Sequence, residues 1–356
     1  MSIKVLLLCG GMSAEHDVSL ASARSVMEAA GGLEVAPLVI GRDGALLSSA
    51  ESRGLLGLPA ATDAGPDELA AGGDLDAGPE EAPARHSALT LARAVAQADV
   101  VFPLLHGPFG EDGRVQGMLD MLGLPYVGAG VFGSAVAMDK LGMKALFAAH
   151  DLDQVRYVPV TRHRWQRDPE GVHAELADLA YPLFVKPANL GSSIGISRVD
   201  DPEQLGPALD LACQHDRRVL VEEGVVGARE LEVGVLGNDA PELSVVGEIR
   251  YGSGFYDYET KYTDGHAELL VPADVPVEVV RRLTDMARRA FQAVDAAGMA
   301  RVDFFYREDT GQLLLNEINT IPGFTRHSMY PKLWQATGVS YSQLIRRLVE
   351  LALEPR

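Results

Sequence analysis

Apolar residues alternate with breaks along the chain in a way that predicts a mixed α/β and α+β protein. Val5–Leu8 reads as a short buried strand that ends in Gly10-Gly11. Val18, Ser22, Val26 and Ala30 then recur at helical spacing, and Val35–Ile40 is a second apolar run. Strand–helix–strand order predicts a parallel sheet. Residues 41–84 are rich in Ala, Gly, Asp and Pro with little periodicity, and are expected to form a surface insertion without chemistry. His86–Ala98 reads as a helix and Val100–Leu105 as a strand, followed by the turn His106–Gly113. The first unit, with a parallel sheet, is therefore expected to cover residues 1–129.

A helix is predicted across Val131–His150, and then strands at Val155–Val160, Leu183–Lys186, Ile194–Arg198 and Val219–Glu222 with a helix at Pro202–Gln214. This makes a smaller α+β unit over residues 130–228. A third unit, residues 229–356, has strands at Glu230–Leu236, Leu243–Ile249, Val302–Tyr306 and Leu313–Ile318. Its helices are expected at Val277–Ala297 and Tyr341–Leu353.

Composition narrows the function classes. The 356 residues are 47% hydrophobic and 23% charged, values that suit several packed cores and not a disordered chain. No apolar run reaches the length of a membrane span, and Val5–Leu8 is too short for the core of a signal peptide, so a cytoplasmic protein is expected. Two cysteines, Cys9 and Cys213, build neither a disulfide framework nor a metal site. A net charge of −19 argues against nucleic-acid and acidic-membrane partners, which demand positive charge. Any anionic ligand must then be met by a few local cations.

Such cations stand at informative places. Lys186 ends a strand just before Asn189-Leu190-Gly191-Ser192-Ser193-Ile194-Gly195, a Gly/Ser loop whose backbone N–H groups suit phosphate oxygens. It lacks the Gly-Lys-Ser/Thr helix opening of a P-loop, and a flexible hairpin explains the loop equally well. Lys140 lies on the predicted Val131–His150 helix. Val221-Glu222-Glu223-Gly224-Val225 ends a strand and runs on to Glu230, a place for an adenine edge and ribose hydroxyls. In the third unit Arg301 and Asp303 share one strand face, as do Glu317 and Asn319 on the next strand. If these strands are neighbours, Asp303, Glu317 and Asn319 converge as a hard oxygen set suited to a divalent ion on phosphates.

Together, Lys140, Lys186, Gly191–Ser193, Glu222–Glu230, Asp303 and Glu317–Asn319 resemble the ATP-grasp enzymes. Within that superfamily the chain resembles the D-alanine–D-alanine ligase family, from its first residues to its last helix. The distinguishing stretches are Gly10–His16, Leu105–Gly113, Tyr256–Tyr262 and Asn319–Thr325.

The resemblance implies an ATP-grasp fold behind an N-terminal parallel-sheet domain. It also implies ATP-dependent ligation of two D-alanines through a D-alanyl phosphate, for peptidoglycan precursors. A D-lactate or D-serine ligase and a non-catalytic ATP-grasp regulator are the alternatives. It implies Mg²⁺ or Mn²⁺, two ions, held by Asp303, Glu317 and Asn319; a monovalent cation stays open. ATP would be met by Lys140, Lys186, Ser192, Ser193, Glu222, Glu223, Val225, Glu230, Lys261 and Asn316. D-Alanine would be met by Glu15, Val18, Ser19, His106, Arg301, Gly323, Ser328 and Met329. Glu15, Ser192, Tyr262, Arg301, Gly323 and Ser328 would serve catalysis, with Arg301 and the Gly323 N–H as an oxyanion hole. Tyr251–His266 would be a closing loop, and the family implies a homodimer.

Overall fold

The computed structural model describes residues 2–59, 91, 94–191, 194–251 and 267–355. Three sheets organise them. In the first, β1 (Lys4–Gly10) is central, flanked by β2 (Glu34–Ile40) and β3 (Val100–Leu104), all parallel as the strand–helix–strand pattern requires. Helix α1 (His16–Ala29) buries Ser19, Ala23 and Val26 against it. The start of the expected surface insertion holds a short helix. Residues 49–55 form α2 (Ser49–Leu55), opened by a Ser48/Glu51 capping box, and Leu56 enters the core. Residues 60–84 of that segment, and residues 86–90 of the helix expected before β3, lie outside the described residues. Helix α3 (Arg114–Met121) follows the turn after β3.

The single helix expected over 131–150 is two: α4 (Val131–Met138) and α5 (Lys140–Ala149). Asp139 breaks it with an extended backbone and caps α5 by accepting from the Gly142 N–H at 3.0 Å. The second sheet is antiparallel, in the order β4 (Tyr157–Thr161), β7 (Arg218–Glu223), β5 (Leu183–Pro187), β6 (Ser197–Val199). Helices α6 (Arg162–Arg167), α7 (Pro169–Leu176) and α8 (Pro202–His215) belong to it, the first two unforeseen.

The third sheet joins β8 (Arg229–Gly237), β9 (Glu242–Tyr251), β10 (Ala267–Leu270), β11 (Gly298–Arg307) and β12 (Gln312–Asn319) in the order β10-β9-β8-β11-β12. Helix α9 (Val277–Ala293) covers one face through Leu283, Ala287, Ala290 and Phe291. Two more helices end the described chain, α10 (Met329–Thr337) and α11 (Tyr341–Ala352). Trp334, Leu344, Leu348 and Val349 share one core with Leu7, Val26 and Phe102 of the first sheet and α1. The first and third sheets are thus locked together through the C-terminal helices.

Candidate active site

Strand ends and turns supply the site, as expected at the carboxyl ends of a parallel sheet. Gly10 and Gly11 adopt φ of +88° and +96°. A Cβ on Gly10 would lie 2.3 Å from the Ile40 carbonyl, so this turn demands glycine. It delivers Glu15 to the N-cap of α1. The Ser13 hydroxyl donates to the His106 carbonyl at 2.7 Å and so ties this turn to the one after β3. A Cβ built on Gly107 would be 3.0 Å from Oε2 of Glu15, and one on Gly191 would be 3.5 Å from the same atom. The Glu15 carboxylate therefore lies where the first unit meets the Gly/Ser loop of the second. His106 is buried, and its Nδ1–H donates to the Ile321 carbonyl at 3.1 Å, which fixes its tautomer when neutral.

Two residues expected at the substrate lie in the first turn of α1. Ser19 is fully buried; its hydroxyl donates to the Leu104 carbonyl and accepts from the Gly10 N–H at 2.7 Å, stitching β1 and β3 to α1. Val18 is half-buried beside it.

The phosphate-loop residues are braced from behind. Lys140 opens α5, its N–H donates to the Ala188 carbonyl at 3.0 Å, and its ammonium donates to the Leu190 carbonyl. Arg218 pairs with Asp139 at the helix break. Asp216 accepts from the Asn189 N–H and side-chain amide, both at 3.0 Å, and from the Arg218 N–H at 3.1 Å. Although burial pushes its pKa up, these hydrogen bonds and the Arg218 charge hold it below the ordinary carboxylate range.

Glu222 is 2% exposed and lies between two lysines. Lys186 of β5 binds its Oε1, and Lys144 of α5 stands 3.2 Å from its Oε2. Burial alone would raise the Glu222 pKa; the two ammoniums outweigh that and bring it down to about 2. Lys144 escaped the sequence reading, although it follows Lys140 by four residues and so belongs to the same helix face. Glu223 turns the other way, its carboxylate accepting from Arg156 at 3.0 Å and from the Ala180 N–H at 3.1 Å. A cavity of about 400 Å³ opens against this hinge, lined by Gly224, Val225, Val226, Arg307, Gln312 and Leu314 among others.

On the third sheet the expected strand neighbours are neighbours. Asp303 pairs with Glu317 and Arg301 with Asn319 across β11 and β12. On the other side Asp303 faces Glu232 and Phe305 faces Glu230 on β8. Paired residues share a face, so Glu230, Glu232, Arg301, Asp303, Glu317 and Asn319 line one surface. A register shift between Asp303 and Phe304 leaves Asn316 as the unpaired residue of β12. This bulge turns the strand over, with Leu313 and Leu315 in the core and Glu317 and Asn319 at the site.

Arg301 forms a two-pronged pair with Asp303, both contacts 2.7 Å, and lies 3.1 Å from Glu232. Burial would lower its pKa, yet Asp303, Glu232 and Glu317 hold it well above the ordinary value. Glu232 is the second residue the sequence reading missed, although it stands two positions from Glu230 in a strand pattern. Asn319 Oδ1 accepts from the Ile321 N–H at 2.9 Å. Among the described residues no group of three or more His, Cys, Asp or Glu side chains gathers into a metal cage. Two carboxylates and an amide oxygen on adjacent strands, with further oxygens from phosphates, still fit a hard divalent cation.

Gly323 and Ser328 close the site at one turn. The Ser328 hydroxyl lies 2.8 Å from that of Thr325 and accepts from the Thr325 N–H at 3.1 Å; a Cβ on Gly323 would be 3.2 Å from it. Met329 is buried at the start of α10. Ser192, Ser193, Lys261 and Tyr262 lie outside the described residues, so their expected roles are not placed.

A parallel sheet followed along the chain by two antiparallel sheets is the arrangement of the ATP-grasp ligases. Comparison with known proteins narrows the class. The D-ala D-ala ligase N-terminus family matches residues 4–129, and the D-ala D-ala ligase C-terminus family matches residues 146–350. A D-alanine–D-alanine ligase of Deinococcus radiodurans is 51% identical over 100% of both chains. One from Geobacillus thermodenitrificans is 47% identical over 99% of this chain and 96% of its own. Among solved structures, the VanG D-Ala:D-Ser ligase from Enterococcus faecalis superimposes with a TM-score of 0.80 at 32% identity, over 99% of this chain and 100% of the other. The D-alanine–D-alanine ligase from Coxiella burnetii follows at 0.77 and 34%, over 99% and 94%. The chain belongs to the D-alanine–D-alanine ligase family.

Proposed function

We propose that this chain joins two D-alanines into D-alanyl-D-alanine at the expense of ATP, as the names of its full-length relatives suggest. The observation that carries the reading is the single face on which Asp303, Glu317 and Asn319 meet Arg301, Glu230 and Glu232. Asp303, Glu317 and Asn319 would hold Mg²⁺ or Mn²⁺, which would supply positive charge against the phosphates. Two ions suit the number of carboxylates.

The nucleotide lies between the second and third sheets. The hinge at Glu223 and Val225 faces the adenine and Glu230 the ribose, with Asn316 beside the base on β12. Lys140, Lys186, Lys261 and the backbone of Ser192 and Ser193 attend the phosphates. Glu15 and His106 hold the first D-alanine, with Val18 and Ser19 shaping its pocket from beneath. A carboxylate oxygen of that D-alanine attacks the γ-phosphorus, and ADP leaves. The amine of the second D-alanine, seated by Ser328 and Met329, then attacks the acyl carbon. Phosphate leaves, and the amine gives up its proton. Arg301 and the Gly323 N–H stabilise the oxyanion of the tetrahedral intermediate, which forms when the amine attacks and collapses when phosphate leaves, the nitrogen's surplus proton passing to the departing phosphate. By the family resemblance Tyr262 would link by hydrogen bonds to Ser192 and Glu15, and exclusion of water would protect the acyl phosphate from hydrolysis.

The domain division at 129/130 and 228/229, a homodimer and a cytoplasmic role in cell-wall precursor synthesis complete the reading. No described helix is long and apolar enough to cross a membrane. Phosphate release from ATP, measured with and without D-alanine, is the test. Release that ignores D-alanine would refute a ligase. The structural likeness to a D-Ala:D-Ser ligase favours one second reading, a different second substrate. Competition of D-alanine with D-serine and D-lactate across pH decides it, and D-alanyl-D-alanine is expected as the majority product.

A further inference from the structure

Lys144 is 2% exposed on α5, yet none of the roles above uses it. Its ammonium stands 3.2 Å from Oε2 of Glu222 and 5.3 Å from the Tyr157 ring centroid. A buried cation needs a reason, because its desolvation is costly unless partners and function repay it. Glu222 already has a counter-charge in Lys186, which binds the other carboxylate oxygen. Two ammoniums and one carboxylate leave this buried group with a net charge of +1.

We propose that Lys144 is a positioning residue for the nucleotide: by holding one oxygen of Glu222 it keeps that carboxylate from neutralising Lys186, whose charge then remains available to a phosphate. The proposal rests on the nucleotide-binding reading of Lys186. Without Lys144 both Glu222 oxygens are free to close on Lys186, and the group becomes neutral at the place where an anion must bind. On an acidic chain no other charge inside the group makes up that loss.

The test is Lys144→Met, which keeps the length of the side chain and removes its charge. KM for ATP is expected to rise about tenfold, equal to about 1.4 kcal/mol, with kcat and KM for D-alanine changed less than about twofold. ADP affinity, read by calorimetry in the presence of Mg²⁺, should fall by the same factor. Lys186→Met is the control for the underlying reading and should weaken ADP at least as much. Should Lys186→Met weaken ADP while Lys144→Met does not, the positioning role alone is overturned. If neither variant changes ADP affinity, the nucleotide reading of this cluster falls as well. A rise in KM for both substrates in parallel marks Lys144 as scaffolding and also overturns the proposal. Where Lys144→Met fails to fold, Lys144→Leu likewise removes both the charge and the hold on Glu222, and the same comparisons apply.

Discussion

Glu222→Gln tests the electrostatics of the site without reference to catalysis. The substitution preserves shape but leaves the Lys144 ammonium, 2% exposed, facing an amide in place of a carboxylate. Lys186, with its side chain 15% exposed, can turn toward water; Lys144 cannot. Breaking a buried pair from one side costs about 3–5 kcal/mol. The pKa of Glu222 gives a second route to the magnitude. From an ordinary 4.5 down to about 2, at about 1.36 kcal/mol per pH unit, the ionised form contributes roughly 3 kcal/mol to folding. Because the folded pKa is depressed, this contribution is complete above pH 4.5 and is lost as pH falls toward 2.

Urea unfolding at pH 7 should therefore show Glu222→Gln destabilised by about 3 kcal/mol. Its loss of stability between pH 4.5 and 2 should be shallower than that of the wild type. Adding Lys144→Met to Glu222→Gln removes the orphaned charge and should recover about 2 kcal/mol. A double variant no more stable than Glu222→Gln would refute the claim that a stranded buried ammonium is the cause.

Asp303→Asn and Glu317→Gln should each cut turnover at least about 100-fold, with urea midpoints near wild type, since Arg301 keeps Glu232 as partner; unfolding of either variant would mark these acids as structural. Chelation should stop phosphate release, and added Mg²⁺ should restore it; activity that survives exhaustive chelation would remove the metal from the reading. Gly10→Ala should destabilise by at least about 2 kcal/mol, because its φ of +88° and the Ile40 carbonyl at 2.3 Å both exclude a Cβ. A near-neutral melting shift there would show that the turn yields.

Local pattern was enough for much of this protein. Short apolar runs between glycines marked β1, β2 and β3, and period two marked Arg301 with Asp303 as one face. Convergence of Asp303 with Glu317 was conditional on two C-terminal strands being neighbours, and the Asp303–Glu317 pairing meets that condition. Such features depend on residues a few positions apart, and the chain writes them locally.

What only the tertiary structure decided depends on register and long-range contact. Period two by itself puts Leu313, Leu315, Glu317 and Asn319 on one face; the bulge at Asn316 separates leucines from ligands. The break at Asp139 is stabilised by Arg218, 79 positions away, and Glu15 behind β1 lies close to Gly191 behind β5. Lys144 looks like a solvated helical charge until β7 places Glu222 against it. A side chain's neighbours along the chain set its preferred backbone, but its charge state and role are set by whichever partners folding brings within a few ångströms.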